Sequence, residues 1–341
     1  MDEALRGHDR QALGRLSLTL ALGDYDHTRD LAEGRVRADG IDLTHLRLGI
    51  EETFFRFLRF REFDVSELSL AKFATMVSQG DAFFVGIPVF PSRVFRLSSF
   101  YVRGDGRIRS AGDLAGARIG IPEWGQTASV YTRGYIQHEL GIALAQIEWL
   151  QAGVNEPGRV EKVKLDLPAG IRYKAVADAS LDQMLLDGRI DVALSARPPR
   201  SFAAGDARVR RLFTDHQARE EAHFAKTGIF PIMHVIAIRK DIYEANPWVA
   251  MNLLKAFDEA KARSAARMAD VTASHAPLPW ISDFAARMRS IAGADPFPYG
   301  IEPNRRTLQA FLQYAQEQGL TKRALAPEDL FVREVRDAYR I

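Results

Sequence analysis

The sequence predicts an α/β protein of two lobes, with a ligand cleft between them and a helical C-terminal segment. Three observations lead there. The chain has 341 residues, long enough for two units of the usual ~100–200 residues. A helix–strand unit ending at Phe63-Asp64-Val65 has an echo ending at Ile190-Asp191-Val192. An apolar run, Phe230–Ile238, returns late in the chain, as a segment does when it crosses back into a lobe it left. The expected division is 16–102 with 232–341 as one discontinuous lobe carrying the C-terminal helices, and 103–231 as the second.

Composition removes several classes. Hydrophobic residues make up 47% of the chain and charged residues 26%, near globular averages, which excludes disordered, collagen-like and coiled-coil readings. Lys and Arg number 46 against 44 Asp and Glu, too even a balance to predict a nucleic-acid partner. With no Cys there is no disulfide, thiol nucleophile, iron–sulfur cluster or thiolate zinc site. His216 and His223 are seven apart and no paired His or carboxylate–His spacing occurs, so no metal site is expected. No apolar run approaches the ~18–20 residues of a membrane helix. Met1–Gly14 mixes acids and bases and reads as a leader. Asp2 and Glu3 occupy what would be the positive region of a secretory signal, so Leu16–Leu22 reads as a buried first strand and the expected location is the cytoplasm.

The elements follow in order. Leu16–Leu22 runs into the polar turn Gly23-Asp24-Tyr25-Asp26-His27. Ile41–Leu48 alternates like a second strand. Glu51-Glu52-Thr53 opens a short helix on which Phe54, Phe55, Phe57 and Phe60 are expected in the core, and Phe63–Leu68 is a strand by pattern. Ile119–Ile121 is a short strand, followed by Gly125-Gln126-Thr127, which opens a helix running to about Leu140. A helix N-terminus at the carboxyl end of a strand presents free N–H groups suited to a carboxylate. Ser180 caps a helix stopped by Gly188, and Ile190–Ser195 is the strand after it. From Pro247 onward the pattern is mostly helical.

The order of motifs resembles the type II periplasmic-binding-protein fold and, more narrowly, the 4,5-dihydroxyphthalate decarboxylase family. The stretches that carry the resemblance are Gly23–His27, Arg61–Ser69, Ile87–Arg96, Gly120–Trp124, Thr227–His234 and Pro298–Glu302. They extend over nearly the whole chain. The sequence departs at Leu97, where the Ser-Arg-x-Phe-Arg-His-Ser version of the motif has His, and that departure bears on the ring pattern of the substrate. The resemblance implies cofactor-independent decarboxylation of a hydroxylated aromatic acid, 4,5-dihydroxyphthalate or a close relative. The partner is then a small aromatic carboxylate, with neither nucleic acid nor membrane and a homo-oligomer left open. The alternative from another class is a solute-binding protein for an aromatic carboxylate, because most proteins of this fold only bind.

Such a reaction needs anchors for carboxylates, a base for a phenol, an acid for a ring carbon and exclusion of water. His234 lies in the apolar run Ile232–Ile236 and is either a proton shuttle or a hydrogen-bonded core histidine. Asp24 and His27, at the end of the first strand, could polarise a phenolic hydroxyl or merely cap a helix. Arg93 and Arg96, and Arg197 and Arg200 around Pro198-Pro199, are candidate carboxylate clamps, with surface ion pairing as the competing role. Ser69, Gln126 and Thr127 are candidate polar contacts. Glu123 could be a general acid or a structural residue of Pro-Glu-Trp and is left out of the catalytic candidates.

Overall fold

The computed structural model describes residues 14–337; the expected leader Met1–Gly14 lies outside this range except for Gly14. Eleven strands are described. They are β1 (Leu16–Leu22), β2 (Ile41–Arg47), β3 (Val65–Ser69), β4 (Phe84–Ile87), β5 (Phe100–Arg103), β6 (Arg118–Ile121), β7 (Glu148–Gln151), β8 (Arg172–Ala175), β9 (Val192–Leu194), β10 (Val209–Arg211) and β11 (His234–Arg239). They form two sheets, in the orders β2-β1-β3-β11-β4 and β10-β5-β9-β6-β7-β8.

The two sheets are built alike. In the first, β1 is parallel to β2 and β3, and β11 is antiparallel to β3 and β4. In the second, β6 is parallel to β7 and β9, and β5 is antiparallel to β9 and β10. The sequence echo marks one shared device. Asp64 accepts the Thr19 N–H of β1 at 2.9 Å, and Asp191 accepts the Arg118 N–H of β6 at 2.8 Å. In each lobe an aspartate just ahead of the central strand satisfies a backbone donor on its parallel neighbour, which sets register as well as bonding.

The crossings run through 88–99 and 212–233, and they pair with each other. Met233 N–H donates to Ser92 O at 2.8 Å and Val94 N–H to Pro231 O at 3.2 Å, around an antiparallel bridge between Arg93 and Ile232. The expected boundary at 102/103 falls inside β5, so the first crossing is better placed at 88–99; the two-lobe division itself is kept as our proposal. The helical C-terminal segment contacts both lobes. Helix Trp248–Ala269 packs near the Asp26–Thr28 turn. Helix Arg305–Glu317 packs on helix Thr127–His138, where a Cβ at Gly134 would stand 2.3 Å from the Tyr314 ring. Only glycine allows that approach.

Helix Ile50–Phe60 departs from its expected packing. Phe54 and Phe57 are buried, but Phe55 and Phe60 are 54% and 60% exposed and meet edge to face. A helix on a sheet buries one stripe, and positions 55 and 60 lie off it. Among the described residues no helix is long and apolar enough to cross a membrane.

Candidate active site

Strand pairing places the central histidine. β11 begins at His234, directly opposite Ser69 at the end of β3, where the chain turns into helix Leu70–Gln79. From the other lobe, β6 ends at Ile121 and the chain passes through Pro122–Gln126 into helix Thr127–His138. The two helix starts meet. Thr127 Oγ1 lies 2.9 Å from Ser69 Oγ and accepts the Ala71 N–H at 3.0 Å. Beside this junction a cavity of about 460 Å³ opens between the lobes.

His234 lines the cavity with its side chain 18% exposed, and its Nδ1 lies 2.5 Å from Oε1 of Glu67, which is fully buried. The same carboxylate accepts the Tyr25 hydroxyl at 2.6 Å and the Gly23 N–H at 2.9 Å. Phe54 meets the imidazole edge to face, with centroids 5.0 Å apart. With Nδ1 committed to Glu67, Nε2 is the nitrogen left for a ligand.

The rest of the lining is strongly cationic. Among the described residues Arg59, Lys72, Arg96, Arg159, Lys162 and Arg197 face it, against the acids Glu51 and Glu123. Glu123 is held by Arg159 at 2.6 Å and by Lys72 and Lys162 at 3.5 Å each. Arg159 also reaches Glu51 on the opposite lobe at 3.2 Å. Among the described residues Arg59, Arg96 and Arg197 have no carboxylate within ion-pairing distance. The Arg96 Nε–H donates to the Met233 sulfur, at 3.2 Å. Burial pushes its guanidinium down to about 10, which leaves it charged near neutrality. Burial likewise lowers Lys72 from its ordinary value, partly offset by Glu123. A desolvated cation without a partner is a ready anchor for a carboxylate.

Of the residues singled out from sequence, His234, Ser69, Arg96, Gln126, Thr127 and Arg197 line this cavity. Four do not. Asp24 is exposed at a turn, and its neighbour Tyr25, not Asp24, reaches Glu67. Arg93 is 7% exposed and braces the crossing. It donates to the carbonyls of Phe230 and Pro298 at 3.0 and 3.2 Å and lies 4.3 Å over the Phe230 ring. Arg200, at the start of helix Arg200–Ala203, is exposed and pairs with Glu156 at the surface. His27 is packed between the rings of Tyr25 and Phe297, at 5.3 and 5.0 Å.

Burial pushes the His27 imidazole down to about 4, so it is neutral at pH 7, and this has a measurable consequence. Between pH 6.5 and about 4 the unfolded chain holds the proton and the folded chain does not. The stabilisation from neutral His27 is therefore complete above 6.5 and is lost as pH falls through that window, by an amount on the order of 3 kcal/mol. His27→Gln is expected to flatten the fall of Tm between pH 6.5 and 4; an unchanged slope would show that His27 does not titrate in this way.

Glu67, Lys72, Arg159 and Lys162 were missed from sequence, and Glu123 was set aside. Glu67 did carry a signal: an acid at the centre of the otherwise uncharged strand Val65–Ser69 is rarely tolerated there without a partner. Arg159 and Lys162 sit in irregular chain between β7 and β8, where local pattern says nothing about the cavity. Leu97 is 5% exposed and lines a separate cavity of about 40 Å³, its N–H donating to Glu220 at 2.7 Å. The departure from the motif therefore lies outside the larger cavity.

Comparison with known proteins agrees with this architecture. No family model matches the chain. It is 37% identical over 320 residues to a 4,5-dihydroxyphthalate decarboxylase of Comamonas testosteroni, covering 94% of this chain and 97% of that one. It is also 37% identical over 206 residues to the enzyme of that name from Pseudomonas putida, covering 60% and 80%. Among solved structures, the periplasmic aliphatic sulphonate binding protein SsuA of Escherichia coli superposes with a TM-score of 0.52 at 16% identity, over 95% of this chain and 94% of that one. The ligand-binding component of an ABC-type import system from Staphylococcus aureus does so with 0.53 at 11%, over 94% and 98%. These likenesses show the two-lobed binding-protein fold.

Proposed function

The chain belongs to the 4,5-dihydroxyphthalate decarboxylase family, and from that premise we propose that it decarboxylates a hydroxylated aromatic dicarboxylate in the cavity between its lobes. The observation that carries the reading is one juxtaposition: a histidine with Nδ1 held by a buried carboxylate, beside three arginines that lack carboxylate partners among the described residues. The arginines supply anchors for anionic groups and the histidine supplies a proton.

The chemistry makes modest demands. Direct loss of CO2 from an aromatic ring leaves an aryl anion, which is too unstable to form. A hydroxyl para or ortho to the carboxylate offers another route, and 4,5-dihydroxyphthalate has one para to each. The phenolic proton is withdrawn, the ring carbon bearing the carboxylate takes a proton to form a new C–H bond, and a dienone results. The C–C bond then breaks, its electron pair returns to the ring as CO2 leaves, and the phenolate is reprotonated. One proton is consumed per turnover. The ring is the electron sink, so the route itself calls for no cofactor. His234 Nε2 is the assigned proton donor to the ring carbon, a role that typically contributes ~10²–10⁴-fold. Arg96 and Arg197 are the assigned carboxylate anchors, and Lys72 and Lys162, which also line the cavity, are assigned to stabilise the phenolate. Phe54 and Phe55 supply apolar surface for the ring face.

The test is a panel of hydroxybenzoates and hydroxyphthalates incubated with the purified protein while CO2 is recorded. Release is expected from ortho-dicarboxylates carrying a hydroxyl para to one carboxylate, and none from phthalate, which lacks the electron sink. Saturable binding of the whole panel with no CO2 would instead favour a solute-binding role.

A further inference from the structure

We propose that Glu67 is the positioning residue of this site: it holds the His234 ring with its Nδ1 proton engaged, keeps Nε2 directed at the substrate, and supplies the countercharge when the imidazole is protonated. The inference rests on the decarboxylation reading for its kinetic consequence, but the geometry stands apart from it.

Glu67 lies on β3, the middle strand of its sheet, with β1 on one side and β11 on the other, and none of its side chain is exposed. Burying a carboxylate there is costly unless its oxygens are well supplied with donors. Three are supplied, one per direction: the Gly23 N–H on Oε2, and the Tyr25 hydroxyl and His234 Nδ1 on Oε1. Among the described residues no Lys or Arg lies within ion-pairing distance of it. A carboxylate kept only for stability would be best matched by a guanidinium; here, among the described residues, the one donor that can carry a positive charge is the imidazole that faces the cavity. Tyr25 is locked in the donor role, since burial and the charge of Glu67 both raise its hydroxyl well above the ordinary value.

The arrangement also fixes the ring in space. A neutral imidazole carries one proton, and the nitrogen that bears it is set by the partner of the other. Glu67 accepts at Nδ1, so Nε2 carries the lone pair in the neutral ring and the transferable proton in the charged one. The Glu67 bond and the Phe54 ring, perpendicular to the imidazole with its centroid 5.0 Å away, constrain the ring in two directions. The register of β11 against β3 then carries it to the cavity wall.

Two measurements test the assignment. Nitrogen-15 NMR of the histidine-labelled wild-type protein, with His234 identified by its loss in His234→Gln, is expected to show the neutral ring protonated at Nδ1. The opposite tautomer would overturn the proposal, and this result needs no Glu67 variant to fold. With 4,5-dihydroxyphthalate as substrate, Glu67→Gln is expected to lower kcat roughly 10–100-fold while KM moves less than about threefold. A folded Glu67→Gln with normal kcat would remove Glu67 from the mechanism. If the wild-type protein releases no CO2 from any panel compound, the decarboxylase reading fails, and the tautomer alone decides whether Glu67 holds the ring.

Discussion

His234→Gln is expected to fold, to bind substrate with near-normal affinity and to lose at least roughly 10²-fold in kcat. Glutamine keeps a similar reach, and its amide can still meet Oε1 of Glu67, so the buried carboxylate retains a donor on that side. What it cannot do is carry a proton at neutral pH. The interaction it removes is made with the ring carbon as the C–H bond forms, which is why the loss should fall on kcat and not on KM. A histidine present only for packing predicts the reverse: lowered Tm, because Phe54 loses its partner, with normal turnover in the folded fraction. Tm and kcat measured on one preparation separate the two, and a destabilised but fully active variant would exclude His234 from proton transfer.

The second large effect is a contrast between two arginines three residues apart. Arg96→Ala is expected to weaken substrate binding by about 1.5–3 kcal/mol, as for one charge-assisted contact, with Tm unchanged or slightly raised. Its guanidinium lies buried beside a sulfur and, among the described residues, has no carboxylate within ion-pairing distance, so the free protein bears a desolvation cost that the substrate relieves. Arg96→Lys should recover only part of the affinity, because the charge remains and the planar fork is lost. Arg93→Ala should do the opposite. It strips the donor from the Phe230 carbonyl and one of two from the Pro298 carbonyl, which keeps the Asn304 amide at 2.9 Å, and it removes a cation from the Phe230 face, at ~1–3 kcal/mol for the one acceptor left unpaired. It should therefore lower Tm while leaving KM for the folded protein near normal. Equal effects of the two substitutions on KM would refute the division between anchor and brace.

These two arginines illustrate how far a sequence can be read. Both stand in Pro91-Ser-Arg93-Val-Phe-Arg96, and the sequence offers both as candidate carboxylate clamps of which only one need reach the cleft. Local pattern marks the stretch as a crossing but does not say which side chain turns toward the cleft. That is decided by the bridge to Ile232, which turns residue 93 toward Phe230 and Pro298, three residues before the chain reaches the cavity. The pair Asp24 and His27 failed for a related reason: the end of β1 was correctly placed, but the turn after it buries His27 against Phe297, a residue 270 positions away (roughly) in the chain and invisible to any local rule.

What the sequence determined by itself is the set of features that depend on short-range pattern. The strand Leu16–Leu22 has the expected bounds, and the helix after Gly125-Gln126 and the Ser180 cap, whose Oγ accepts the Gln183 N–H at 3.2 Å, stand where they were read. The echoed aspartates, 64 and 191, mark equivalent places in two like-built sheets. Alternation, capping and turn chemistry are local, so they are written in neighbouring residues. Only the tertiary structure decided the site. Glu67 meets His234 because β11 lies antiparallel beside β3, and Arg159 meets Glu123 and Glu51 because irregular chain folds back over the mouth of the cleft. Each contact joins residues distant in sequence, and their pairing is set by sheet order and lobe packing, the long-range terms that no run of neighbouring residues contains.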